Sequence, residues 1–347
     1  MKEAYIDALL QEINTSFARY DTKDYSVKSI YFGGGTPSVL FAKQIGAVLD
    51  KLRSVFKVES EAEITIEVNP GTVDEYKLSE YRKIGINRIS IGMQSADNRE
   101  LKMLGRIHTY EDFLKCFELC RKVGFDNVNV DVMTALPNQS EQTLKNTLDK
   151  VTSLGPEHIS AYSLIIEEGT PFYERYGNIE GPVVGEEQER KLYHMTRRVL
   201  KQAGYYQYEI SNFARKGKES IHNTGYWTHV PYIGFGLGAS SYFEKTRYKN
   251  VSDFNTYLNF PGQKEEMESL SKQDEMAEFM FLGLRCTKGV FTRDFEDEFG
   301  VDIKKVYGDV IRKLISEELL EEEDGRIFLT TEGIDYGNYV FSRFLLD

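Results

Sequence analysis

The sequence predicts an α/β protein in which a partial parallel (β/α) barrel is followed by a small C-terminal α+β domain of winged-helix type. Three observations point there. Short β-prone segments alternate with helical patterns at intervals of about 30 residues through the first half of the chain, as in successive βαβ units. These segments end in Gly, Asn, Gln or Asp, residue types suited to the functional rim of a barrel. Beyond residue 273 helical patterns lead into a short hairpin, Leu319 to Leu329, with Asp324-Gly325 as its turn.

Taken in order, residues 3–20 place Tyr5, Ile6, Leu9, Leu10, Ile13 and Phe17 at helical spacing. Val27 to Phe32 reads as a strand running into Gly33-Gly34-Gly35-Thr36-Pro37, and a helix follows over 41–55. Ala62 to Val68 is a strand, 74–84 a helix, and Asn87 to Met93 a strand. Helices over 97–103 and 110–123 precede a strand from Asn127 to Met133, a helix over 140–153 and a strand from Glu157 to Leu164. Right-handed crossovers join such strands into a parallel sheet. An open doubly wound sheet shows the same alternation and is the competing architecture. Ile30, Tyr31 and Phe32 are consecutive apolar residues, which suits a strand covered on both faces. With only a helix before it, this strand is expected to be an unprotected edge of a barrel that lacks its first strand. The expected divisions are 1–185 for the partial barrel, 186–270 for its completion together with a His222-containing segment, and 271–347 for the winged-helix-like domain.

Composition narrows the function. The 347 residues are 41% hydrophobic and 28% charged, as in globular proteins, and the formal net charge is −12. A surface that acidic repels phosphate backbones and anionic lipid, so nucleic acid and membrane surfaces are excluded as expected partners. Glu317, Glu318, Glu321, Glu322, Glu323 and Asp324 surround the wing, which argues for packing or a partner role there rather than DNA contact. No apolar run approaches the roughly 20 residues of a membrane span, and the N-terminus has no signal or transit pattern. Cys116, Cys120 and Cys286 do not read as a disulfide framework. A cytoplasmic protein is expected.

The chemistry-bearing residues gather at the strand ends. The glycines after Phe32 let backbone approach a ligand closely, although their spacing fits neither a dinucleotide fingerprint nor a Walker loop. Glu67-Val68-Asn69-Pro70 ends the next strand, Ser90 to Ser95 the third and Val130 to Met133 the fourth, with Leu104-Gly105-Arg106-Ile107-His108 between. A glycine platform, a carboxylate, a carboxamide, a guanidinium and a second carboxylate on one rim can hold a zwitterionic amino acid joined to a ribose. Arg106 would pair with a carboxylate, the backbone of Gly34 to Thr36 would take an ammonium, and Glu67 or Asp131 would take hydroxyls or ammonium.

GGGTPS, EVNP, NRISIGMQS, LGRIHT, VNVDVMTALPNQS and ISAYSLIIEEGTPF, in this order and spacing, resemble the radical-SAM HemN/HemW family. YEISNFA, IHNTGYW, YIGFGLGASSY and the tail extend the resemblance over essentially the whole chain. It implies a radical-SAM barrel with S-adenosylmethionine contacts at Gly34, Gly35, Thr36, Glu67, Gln94, Arg106 and Asp131. His222-Asn223-Thr224-Gly225-Tyr226-Trp227 matches the HNxxYW signature of the heme-chaperone branch, which implies heme binding at His222 and an acceptor protein for the heme. Ala135 stands where a glycine is usual before Leu-Pro, a departure expected to change little. The family also carries a CxxxCxxC segment whose thiolates hold a 4Fe-4S cluster. That motif does not occur in this sequence, no cluster ligand is assigned, and the chain as written is expected to be inert in radical chemistry. The three cysteines read as buried core. The alternatives are an oxygen-independent coproporphyrinogen III oxidase and a cluster-free binding remnant. His108, His158, His194 and His229 read as structural or surface groups, while Tyr226, Trp227, Tyr232, Phe235, Tyr242 and Phe243 fit either a porphyrin pocket or packing.

Overall fold

The structure, a computed structural model, describes residues 1–16, 20, 22–177 and 183–346. Phe17, the last apolar position of the predicted first helix, lies outside them. The described chain forms two compact units, one of residues 29–42 and 63–220, the other of residues 1–28, 43–62 and 221–347.

The strands in chain order are β1 (Val27–Phe32), β2 (Val58–Val68), β3 (Arg88–Gln94), β4 (Val128–Thr134), β5 (His158–Ser163), β6 (Tyr206–Gln207), β7 (Asn212–Ala214), β8 (Ser240–Phe243), β9 (Thr246–Asn250), β10 (Lys264–Ser269), β11 (Val290–Phe291), β12 (Leu320–Glu323) and β13 (Arg326–Leu329). The principal sheet runs β1-β2-β3-β4-β5-β7-β6. β2 through β5 pair in parallel, and β7 then joins β5 antiparallel. A doubly wound sheet reverses its strand order at a switch point. Here β1 to β5 follow one another in chain order, so the sheet winds as a barrel does. Among the described strands β1 is an edge, and five of its six residues are half-buried, whereas β3 is buried along its whole length.

Helices follow where local signals place them. Thr109 and Ser140 close capping boxes at the starts of Tyr110–Val123 and Glu141–Leu154, and Gly124 and Gly155 end both in the left-handed conformation. Phe113, Cys116, Phe117 and Cys120 form the buried stripe of the first, and Leu144, Leu148 and Val151 contribute to that of the second. The outward face of the strands is apolar, with Ile89, Ile91 and Met93 on β3 and Val128, Val130 and Val132 on β4 fully buried. The alternate residues are polar (Arg88, Ser90 and Gln94; Asn129 and Asp131; His158 and Ser160), and they face the barrel interior rather than the layered apolar filling usual for such barrels.

In the second unit, helix Lys2–Ser16 buries Glu12, whose carboxylate accepts from Gly236 N at 2.9 Å, Asn250 Nδ2 at 2.7 Å and the Tyr257 hydroxyl at 2.7 Å. Satisfied this way, a buried charge is tolerated. β8, β9 and β10 form an antiparallel sheet that the sequence reading did not anticipate. Its β8–β9 turn uses Glu244 and Lys245 at φ 50° and 60°, where such a turn ordinarily shows Asn-Gly. The C-terminal portion is of winged-helix type. Helices Lys272–Gly283, Thr292–Phe299 and Ile303–Ser316 pack with β11-β13-β12 around Met280, Phe295, Tyr307, Leu314, Ile327 and Phe344. Asp324 and Gly325, both at positive φ, make the predicted wing turn.

Candidate functional site

The strand ends of the barrel unit enclose a cleft of about 170 Å³ lined by Gly35, Thr36, Glu67, Val68, Asn69, Ser90, Gly92, Gln94, Arg106 and Asp131. Six of the seven residues predicted for one rim therefore meet in one place. The seventh, Gly34, takes φ 89°, and its backbone amide helps to hold the Glu67 carboxyl down against burial. Gly33 is required by the same approach, because a Cβ there would lie 2.7 Å from Glu67 Oε1 and 2.6 Å from the Tyr31 ring.

Each side chain is placed by a local device. Glu67 accepts from the Tyr31 hydroxyl at 2.9 Å, which orients it across β1 and β2. Asn69 donates to Thr36 Oγ1 at 3.1 Å and ties the glycine loop to the end of β2. Gln94 has φ 70°, and the β3–β4 register shifts between Gly92 and Gln94. This irregularity re-aims a side chain that a regular strand would direct elsewhere. Arg106 follows the helix Asn98–Met103, and among the described residues its guanidinium has no hydrogen-bond or ion-pair partner. Asp131 accepts from Asn129 Nδ2 at 2.7 Å and from Ser90 Oγ at 3.4 Å.

The electrostatics are those of a site prepared for mixed charge. Burial pushes the Glu67 carboxyl up, partly opposed by the Tyr31 bond and reinforced by the Asp131 charge. Burial likewise raises Asp131, with the Asn129 bond opposing it. Burial also lowers the Arg106 guanidinium, which Asp131 partly compensates. A ligand carrying both an anion and a donor-rich cation relieves all three at once.

These residues fit S-adenosylmethionine, which presents a carboxylate, an ammonium and ribose hydroxyls to an unpartnered guanidinium and two carboxylates. They do not fit an iron–sulfur cluster. Among the described residues no group of three His, Cys, Asp or Glu side chains is arranged to hold a metal ion. Cys116, Cys120 and Cys286 are buried core thiols, as read from the sequence. The Cys116 contact and burial keep Cys120 protonated.

His222 does not line this cleft. It lies in the second unit, on helix Ile221–Trp227, half-buried, with its ring edge-on to Tyr226 at 4.8 Å. Tyr226 is in turn edge-on to Tyr232 at 4.6 Å. Phe235 packs on Phe56 and Phe243 on Tyr20, so these two rings serve packing. Sequence reasoning missed the polar interior below the cleft. His158, taken for a structural or surface histidine, has no exposed surface and bonds Asn129 and Tyr208. The signal available was the alternation Asn129, Asp131 and His158, Ser160 in strands otherwise apolar.

Comparison with known proteins adds a family. The Radical SAM superfamily model matches residues 3–151, and the HemN C-terminal domain model matches residues 270–336. Heme chaperone HemW of Lactococcus lactis subsp. lactis (strain IL1403) is 37% identical over 347 residues, spanning 99% of this chain and 90% of that protein. Heme chaperone HemW of Bacillus subtilis (strain 168) is 35% identical over 350 residues, spanning 99% and 91%. Among solved structures, coproporphyrinogen III oxidase (HemN) from Escherichia coli, a radical SAM enzyme, superposes with a TM-score of 0.84 over 99% of this chain and 83% of that one. At 22% identity that likeness concerns the fold alone.

Proposed function

The chain belongs to the heme chaperone HemW family of radical SAM proteins, and from that premise we propose that it carries heme in the cytoplasm, binding S-adenosylmethionine in the strand-end cleft and heme through His222. The observation that carries the cofactor reading is Arg106, an unpartnered guanidinium in the cleft whose wall includes two carboxylates raised by burial. When bound, S-adenosylmethionine supplies a methionyl carboxylate and ammonium, a ribose diol and an activated sulfonium.

Arg106 pairs with the carboxylate. The backbone of Gly34, Gly35 and Thr36 approaches the ammonium, and Glu67 and Asp131 accept from ammonium or hydroxyl donors. Gln94 offers both a donor and an acceptor.

Heme is the cargo. His222 supplies an imidazole of the kind that ligates heme iron, and Tyr226 packs edge-on against its ring. An acceptor protein receives the heme. The test is a heme titration of the purified chain read at the Soret band. The wild type is expected to give a shifted band that His222→Ala weakens. A wild type that leaves the heme spectrum unchanged sinks the reading.

A further inference from the structure

His158 sits on β5 with no exposed surface, one strand from a wall of the cleft. Its Nδ1 lies 2.6 Å from Asn129 Oδ1, and its Nε2 lies 2.8 Å from the Tyr208 hydroxyl. Asn129 commits both amide protons, one to Asp131 Oδ1 at 2.7 Å and one to Ser90 Oγ at 2.8 Å. Ser160 Oγ donates to Asn129 Oδ1 at 3.1 Å. Asp131 is thus tied to a buried imidazole through a single amide.

The direction of this chain follows from either end. The Asn129 amide places Nδ2 toward Asp131 Oδ1 and Ser90 Oγ, which leaves Oδ1, an acceptor, toward His158. Nδ1 of His158 must then carry a proton. At the other end, the Tyr208 oxygen accepts the Ser220 backbone N–H at 3.3 Å. Among the described residues the hydroxyl proton of Tyr208 has no acceptor other than His158 Nε2, so Nε2 carries no proton. Both ends assign one tautomer. Burial, with the Arg88 charge nearby, also holds His158 well below its usual pKa, so the ring is neutral.

We propose that His158 is a positioning residue, held as the neutral Nδ1–H tautomer, which fixes the Asn129 amide so that Asp131 stands in the cleft as an ionised acceptor for a ligand's donors. Burial alone pushes Asp131 toward its protonated form, and the Asn129 bond opposes this. Without His158, Asn129 Oδ1 keeps only the Ser160 hydroxyl as a donor, so the amide is held less firmly with Nδ2 toward the carboxylate. A weakened Asn129 bond leaves Asp131 nearer its protonated form, in which it donates where the ligand also donates. The identity of that ligand rests on the cofactor reading above; the tautomer does not.

Two measurements on the full chain separate these. The first is long-range proton–nitrogen NMR of ring-labelled histidine, with His158 assigned by its loss in His158→Asn. The Nδ1–H pattern is expected, and either an Nε2–H or an imidazolium pattern overturns the proposal. The second is calorimetric titration with S-adenosylmethionine. His158→Leu is expected to weaken binding about tenfold, the cost of one badly paired buried group. His158→Asn, whose amide nitrogen overlays Nδ1, is expected to bind within about threefold of wild type by retaining that donor. Equal binding by wild type and His158→Leu overturns the proposal, and should the Leu variant not fold, the tautomer and the Asn variant decide. A wild type that shows the Nδ1–H pattern yet binds no S-adenosylmethionine rejects the cofactor reading and leaves the relay intact.

Discussion

Gln94 and Ala135 both adopt left-handed backbone conformations, φ 70° and 57°, that side chains with a Cβ rarely take. At Gln94 the strained backbone aims a carboxamide into the cleft, a cost of the kind concentrated at functional sites. Ala135 lines no part of the cleft, and its positive φ supplies the physical reason a glycine is usual there. The departure therefore costs more than its small size suggested. The left-handed penalty is about 1–2 kcal/mol, and the buried methyl returns about 0.8 kcal/mol. Ala135→Gly is accordingly expected to stabilise the chain by about 0.2–1.2 kcal/mol, seen as a higher midpoint in denaturant at unchanged slope. Arg106→Ala belongs to the same scale. Removing a charge-assisted, partly buried contact worth about 1.5–3 kcal/mol should weaken S-adenosylmethionine about 10- to 100-fold by calorimetry. Arg106→Lys should not restore it, because an ammonium lacks the planar fork.

At the scale of elements, the residues after helix Ile221–Trp227 are fastened by a histidine that the sequence left as structural or surface. His229 Nε2 lies 3.0 Å from Glu278 and Nδ1 lies 3.8 Å from Glu298, while Arg247 shares Glu278 at 2.8 Å. Burial works against the charged ring, but bonds to Glu278 and Glu298 outweigh it and raise its pKa to about 9. With the folded pKa above the unfolded one, the contribution to stability is complete below about pH 6.5 and is lost as pH rises through 9. It amounts to about 3 kcal/mol at most. The difference in melting temperature between wild type and His229→Gln should be largest near pH 6 and shrink toward pH 9.5. A gap independent of pH would show that packing, not charge, holds this junction.

For the whole molecule, charge decides what a winged-helix tail does. β12 exposes Glu321, Glu322 and Glu323, and the net charge is −12. Binding that depends on releasing counterions from phosphate needs the opposite sign. The chain should not retard a DNA duplex in a gel at about 0.15 M salt, and a salt-sensitive shift would refute that role. No described helix is long and apolar enough to cross a membrane.

What the sequence determined by itself was local and periodic. Capping residues, glycine stops and apolar stripes marked the helices Tyr110–Val123 and Glu141–Leu154, and strand-end chemistry marked six of the residues that line the cleft. The β8–β9 hairpin escaped because Glu244-Lys245 carries none of the chemistry that usually announces such a turn. The polar interior escaped for a deeper reason. Alternating apolar and polar residues, as in Val128-Asn129-Val130-Asp131, ordinarily mark a strand with one face in water. Only the curl of the sheet put that polar face inside, where Asn129, Asp131 and His158 are held by hydrogen bonds among themselves and their neighbours.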